Sequence, residues 1–211
     1  MKDGFGLYLV MTNPVVGYER CCEAAVRAGV RMVQLRMKDA PRGDVLATAR
    51  RLVSIVRGSE TRLIVNDDPS VAAEAGADGV HVGQTDMAVH EVRRMYPSLG
   101  LVGLSTHNLA QAEAAVAAAP DYIGVGPVFA TPTKKIPDPT LGIAAAARMV
   151  AAVPFPAVAI GGIDAANLKD VLRAGARNYA VVRAVCASER PYVAILSLLA
   201  AARSALGAGT C

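Results

Sequence analysis

Short apolar runs rich in β-branched residues alternate along the chain with longer, alanine-rich runs whose apolar positions recur at helical spacing. The pattern predicts strand–helix pairs in strict order. They are Leu7–Met11 with Tyr18–Ala28, Met32–Arg36 with Arg42–Arg57, Leu63–Asn66 with Ser70–Glu74, and Gly79–Val82 with Ala88–Met95. The second four are Leu101–Leu104 with Leu109–Ala118, Tyr122–Val125 with Ile143–Ala151, Ala157–Ile160 with Ala165–Arg173, and Tyr179–Val182 with Tyr192–Ala205. Leu63–Val65 and Val158–Ile160 are apolar at successive positions, as parallel strands buried on both faces should be. Eight such units in 211 residues predict an α/β fold, a (β/α)8 TIM barrel closing over residues 1–211 as one domain. An open doubly wound sheet is the alternative, but no strand–helix junction near the N-terminus carries a Gly-x-Gly-x-x-Gly run. The phrases Ala-Gly-Ala at 75–77 and 174–176 each read as a helix end, a glycine just beyond it and the start of the next strand.

Composition narrows the class. Hydrophobic residues make up 53% and charged residues 19%, which excludes a disordered or coiled-coil chain. No stretch of about 18 residues is apolar throughout, so no membrane span is expected. The first ten residues lack the basic start and apolar run of a secretory signal, so the expected location is the cytoplasm. The four cysteines have no metal-ligand spacing and read as plain thiols. The net charge is +4, yet aromatics are 4%, Trp is absent and no basic run exists. That argues against nucleic acid and for a small anionic ligand such as a phosphate.

In a barrel of this kind the chemistry sits where the strands end. The second strand runs out through Gln34, Arg36 and Lys38, which alternate onto one side. Two cations there call for an anion, with arginine offering a fork and lysine a point charge, or for a salt bridge to a neighbouring acid. The third and fourth strands lead to Asn66-Asp67-Asp68-Pro69 and to His81-Val82-Gly83-Gln84-Thr85-Asp86. Carboxylates at one end, with a phosphate to share, suit Mg²⁺. Asp68, followed by Pro69, is the better helix cap of the two adjacent acids. His81 reads as a core histidine satisfied by backbone. Ser105 is open between ligand and cap, and Asn108 reads as a cap. The longest loop runs from Gly126 to Gly142 and carries Thr131, Thr133, Lys134 and Lys135, hydroxyls and cations that again suggest an anion. Gly161-Gly162 would let backbone N–H groups approach a phosphate.

Six segments together resemble thiamine-phosphate synthases: Gln-Leu-Arg-Met-Lys at 34–38, Asn-Asp at 66–67, His-Val-Gly-Gln-Thr-Asp at 81–86, Gly-Leu-Ser-Thr-His at 103–107, Gly-Pro-Val-Phe-Ala-Thr-Pro-Thr-Lys-Lys at 126–135 and Ile-Gly-Gly-Ile at 160–163. The resemblance runs in order over nearly the whole chain. It implies a Mg²⁺-dependent transfer of hydroxymethylpyrimidine from its diphosphate to a thiazole phosphate. It further implies that Gln34, Arg36, Lys38, Asn66, Ser105 and Lys134 bind the pyrimidine diphosphate, with Arg36, Lys38, Ser105 and Lys134 carrying the catalysis. Asp67 and Asp86 would hold the metal, and Thr131, Thr133, Gly162, Val182 and Arg183 the thiazole phosphate. The expected partners are these two small substrates, with no nucleic acid or membrane and with homo-oligomerisation left open.

One position departs from the family pattern. An aliphatic residue followed by a serine is usual after the eighth strand, and Val182-Arg183 stands here. Arg183 either meets the phosphate in place of the serine, or crowds the site or points away and leaves Val182 to supply backbone only. The departure keeps a non-catalytic thiamine-precursor-binding barrel as an alternative. A thiazole tautomerase-like relative is a weaker one, because Pro127 occupies the position where that subgroup carries histidine and both Asp67 and Asp86 are present.

Overall fold

The computed structural model describes residues 4–131 and 139–207. Eight strands, β1 (Leu7–Met11), β2 (Met32–Leu35), β3 (Arg62–Asn66), β4 (Gly79–Val82), β5 (Leu101–Thr106), β6 (Tyr122–Val125), β7 (Ala157–Ile160) and β8 (Asn178–Val181), pair in parallel and in chain order. β8 pairs back onto β1, closing the sheet into the expected barrel. The helices between them are α1 (Tyr18–Arg27), α2 (Arg42–Val56), α3 (Pro69–Ala75), α4 (Val89–Met95), α5 (Leu109–Ala118), α6 (Gly142–Ala151) and α7 (Leu168–Arg173). α8 (Arg183–Cys186) and α9 (Pro191–Gly207) follow β8. None of the helices described is long and apolar enough to cross a membrane.

The strands alternate between two cores. Leu7, Leu9, Val33, Leu35, Leu63, Val65 and Val181 face outward, buried under the helices. Tyr8, Val10, Met32, Ile64, Tyr122, Val158 and Ala180 face into the barrel. Each such outward aliphatic is fully desolvated, and cutting Leu63 to alanine would cost about 2–5 kcal/mol. Closing the sheet therefore needs apolar residues at both parities, which is why the strands read as continuous runs.

The element boundaries shift where side chains intervene. β2 ends at Leu35 rather than Arg36; the Arg36 N–H still donates to Met11 O, but the chain then turns out of the sheet through Asp39 at φ 66°. β5 reaches Thr106, two residues past the expected end, so Ser105 is held in the ladder opposite Gly124. α7 starts at Leu168 rather than Ala165, because Asp164 Oδ1 captures the N–H groups of Ala166 and Asn167 in a local turn. α8 is an element the periodicity missed, being only four residues long. Asp68 caps α3 through Ser70 N and Val71 N with Pro69 in the first turn, and Asn108 caps α5 through Gln111 N, both as expected.

Candidate active site

The polar residues that end the strands gather at the C-terminal mouth. β2 points Gln34 into the barrel, where it is 3% exposed, and the chain beyond it carries Arg36, half-buried, and Lys38, exposed, at the rim. Burial pushes the Arg36 guanidinium below its ordinary value, while the nearby Asp67, Tyr18 and Asp39 act to raise it. Lys38 Nζ pairs directly with Asp67 Oδ2.

Asp67 itself lies in the left-handed region at φ 65°, a conformation that costs about 1–3 kcal/mol outside glycine. Its N–H donates to His81 O at 2.8 Å, which tethers the end of β3 to β4 and holds the turn. Asp86, on the loop after β4, accepts from Gly83 N. Burial raises the Asp86 carboxyl above its ordinary value; the Gly83 bond opposes this, and the adjacent Asp67 carboxylate adds to it. Two neighbouring carboxylates, one half-buried and one exposed, are unfavourable unless a proton or a cation lies between them. A hard divalent ion that takes one or two carboxylates and completes its shell with phosphate oxygens and water matches this donor set. No group of three His, Cys, Asp or Glu ligands exists among the described residues, so a metal here would take most of its oxygens from elsewhere, water and substrate phosphate included.

β5 supplies Ser105, whose Oγ lies 2.9 Å from His81 Nε2, while Gln84 Nε2 donates to Ser105 O at 2.6 Å. Asn66 ends β3 directly across the ladder from His81. His81 is not satisfied by backbone, as the sequence suggested, but by two side chains: Nε2 faces Ser105 and Nδ1 faces Tyr122 Oη at 3.1 Å. Neither Tyr122 nor Tyr8 was singled out by sequence reading. The signal available was parity: both tyrosines fall on inward positions of a strand, where a phenol must find a partner.

The far side of the mouth is built differently. The loop after β6 lies across the end of β7, with Val128 N donating to Ile160 O and Phe129 N to Gly161 O. Gly161 and Gly162 have φ of 106° and 64°. A Cβ on Gly162 would come within 2.7 Å of Ala130 O, so the close approach needs glycine. Thr131 is the last residue described before the middle of that loop; Thr133 and Lys134 lie outside the described residues. Val182 is partly buried against the barrel interior, and Arg183 is exposed in the first turn of α8.

A model of the thiamine monophosphate synthase family matches residues 7–185, from the first residue of β1 into α8. The chain belongs to this family. The thiamine-phosphate synthase of Anaeromyxobacter dehalogenans (strain 2CP-C) is 42% identical over 208 residues, covering 96% of this chain and 91% of that relative. The thiamine-phosphate synthase of Laribacter hongkongensis (strain HLHK9) is 42% identical over 191 residues, covering 89% and 90%. The solved thiamine phosphate pyrophosphorylase from Pyrococcus furiosus superposes with a TM-score of 0.89 at 29% identity, covering 98% of this chain and 99% of that one. Within the thiamine monophosphate synthase family, this member thus brings Arg36, Lys38, Asp67 and Asp86 to one half of the rim. It brings the β6 loop, Gly161 and Gly162 to the other.

Proposed function

We propose that residues 1–211 act as one barrel domain and as a thiamine-phosphate synthase, moving a hydroxymethylpyrimidine group from its diphosphate onto a thiazole phosphate with release of diphosphate. The observation that carries this reading is the Asp67–Asp86 carboxylate pair flanked by Lys38 and Arg36. Asp67 and Asp86 would hold Mg²⁺, which when bound neutralises charge on diphosphate oxygens. Arg36 and Lys38, joined by Lys134, bind the diphosphate and stabilise the negative charge that builds as the bond from the pyrimidine methylene carbon to oxygen breaks. The electron pair leaves with the diphosphate, and the thiazole nitrogen then attacks the pyrimidine-methyl cation. Gln34, Asn66 and Ser105 hold the pyrimidine substrate in line for that attack. Thr131, Thr133, Gly162 and the backbone of Val182 meet the thiazole phosphate, at the place near β7, β8 and a short extra helix where barrels of this class often bind one, with the exposed Arg183 left outside that contact. No side chain is required as a covalent nucleophile.

The test is diphosphate release by purified protein given both substrates and Mg²⁺, with EDTA and single-substrate controls. Release that needs all three components, with thiamine phosphate formed, is the expected result. Tight binding of either substrate without turnover would replace this reading with that of a precursor-binding barrel.

A further inference from the structure

The interior of the barrel carries a continuous polar relay. Gln34 Nε2 donates to Tyr8 Oη at 2.8 Å, and Tyr8 Oη lies 2.9 Å from Tyr122 Oη. Tyr122 Oη lies 3.1 Å from His81 Nδ1, and His81 Nε2 lies 2.9 Å from Ser105 Oγ. Five strands contribute one member each, and Gln34, Tyr8 and Tyr122 are buried. The backbone makes room for it. Gly103 pairs with His81 on one side and with Tyr122 on the other, and a Cβ there would sit 2.2 Å from Tyr122 Cζ and 2.5 Å from His81 Nδ1. Gly124 lies against the other edge of the imidazole, 3.5 Å from His81 Cε1 by the same measure. Barrel interiors of this class are mostly filled by branched aliphatics, which would pack here without any hydrogen bond to satisfy. A chain of five polar groups, three of them buried, is therefore unexplained by stability alone.

The relay has a direction. A phenol that accepts from the Gln34 amide has its own hydrogen to place, and Tyr122 Oη receives it. Tyr122 then donates to His81 Nδ1, so the imidazole carries its hydrogen on Nε2 and donates to Ser105 Oγ. The serine hydroxyl is left with its hydrogen for an acceptor in the mouth. Burial pushes both phenols above their ordinary values, so they remain O–H groups over the working range.

We infer that His81 is a positioning residue, which Tyr122 locks in the Nε2–H form so that Ser105 is presented to the pyrimidine substrate as a hydrogen-bond donor. The inference rests on the synthase reading for its substrate, and on the relay geometry for everything else. Gln34 and Ser105, the two ends of the relay, are both assigned to the same substrate, so the relay ties them into one unit.

Two measurements test it. Nitrogen-15 NMR of the full chain, with His81 identified by comparison with His81→Gln, reads the tautomer directly. The Nε2–H form is expected in the wild type and a mixture in Tyr122→Phe. An Nδ1–H form in the wild type overturns the inference. In turnover, Tyr122→Phe is expected to lower kcat/KM for the pyrimidine diphosphate about tenfold. KM for the thiazole phosphate should stay unchanged, although Tm falls because Tyr8 Oη and His81 Nδ1 lose a partner. In a Ser105→Ala background the same substitution should do nothing further, and His81→Gln, which keeps a donor near Nε2, should retain more activity than His81→Phe. Equal losses from Tyr122→Phe in both backgrounds, or losses on both substrates that track Tm, overturn it. Absence of any turnover in the wild type would sink the synthase reading instead, while the tautomer still decides the relay.

Discussion

The two halves of the barrel mouth are built by opposite means. The β2–β4 side is built from side chains: Lys38 on Asp67, the half-buried Arg36 near it, and Asp86 held by Gly83 N. The β6–β8 side is built from backbone. Gly161 and Gly162 have no Cβ where one would strike Pro127 and Ala130, and the β6 loop is laced to the end of β7 by main-chain bonds. The first half depends on which residues are present, the second on which atoms are missing. Substitutions should therefore damage the first through charge and the second through shape.

The largest effect is expected from the carboxylates. Asp67→Asn or Asp86→Asn should reduce magnesium-dependent turnover about 10³-fold with the circular dichroism spectrum unchanged. Steady-state rates against magnesium concentration check this, and near-normal rates at ordinary magnesium would break the metal assignment. Next comes Lys38→Ala, expected to lower kcat/KM for the pyrimidine diphosphate about 10²-fold. Because that pair is exposed, urea denaturation should show a stability change below about 1 kcal/mol.

Gly162→Ala tests the other half. Its Cβ would lie 2.7 Å from a carbonyl oxygen at a positive φ, so a stability loss of about 1–3 kcal/mol is expected. KM should rise for the thiazole phosphate and not for the pyrimidine diphosphate; equal increases on both would erase the division of labour proposed here.

The buried phenols supply a pH test. Burial pushes the Tyr179 hydroxyl up to about 12, and raises Tyr8 and Tyr122 as well. Below about pH 10 these groups are protonated in folded and unfolded chains alike. As pH rises past that value the unfolded chain releases protons that the folded one keeps, so stability falls, with the Tyr179 contribution lost by about pH 12. Denaturation midpoints from pH 8 to 12, alongside phenolate absorbance, would show this; early titration of all six tyrosines in the intact fold would contradict it. The smallest effect is expected from Arg183→Ser. The side chain is exposed in the first turn of α8, and the substitution should change either KM by less than about twofold. A larger change confined to the thiazole phosphate would make Arg183 a direct phosphate contact.

Much of this was readable in advance, for particular reasons. The barrel follows from the alternation of apolar runs and amphipathic runs, because parallel strands covered on both faces leave no polar parity. Asp68 and Asn108 were legible as caps because capping is local, reaching only two or three residues ahead. The delayed start of α7 was equally local, yet the competition between Asp164 and the helix is too finely balanced for a pattern to decide. The partners of His81 were beyond reach, since Tyr122 lies 41 residues away and reaches it only through the pairing of β4, β5 and β6.

What the sequence by itself determined is the order and type of the elements and the residue types at each strand end, since periodicity and turn chemistry act over a few residues. What only the tertiary structure decided is which of those residues touch. Parallel pairing sets the register of Asn66 against His81 and of Gly103 against Tyr122, and closure of β8 onto β1 brings Tyr8, Tyr122 and Gln34 together across the interior. Hydrogen bonds and charge pairs weaken within an ångström or two of misplacement, so contacts between distant segments become defined only once the whole sheet has closed.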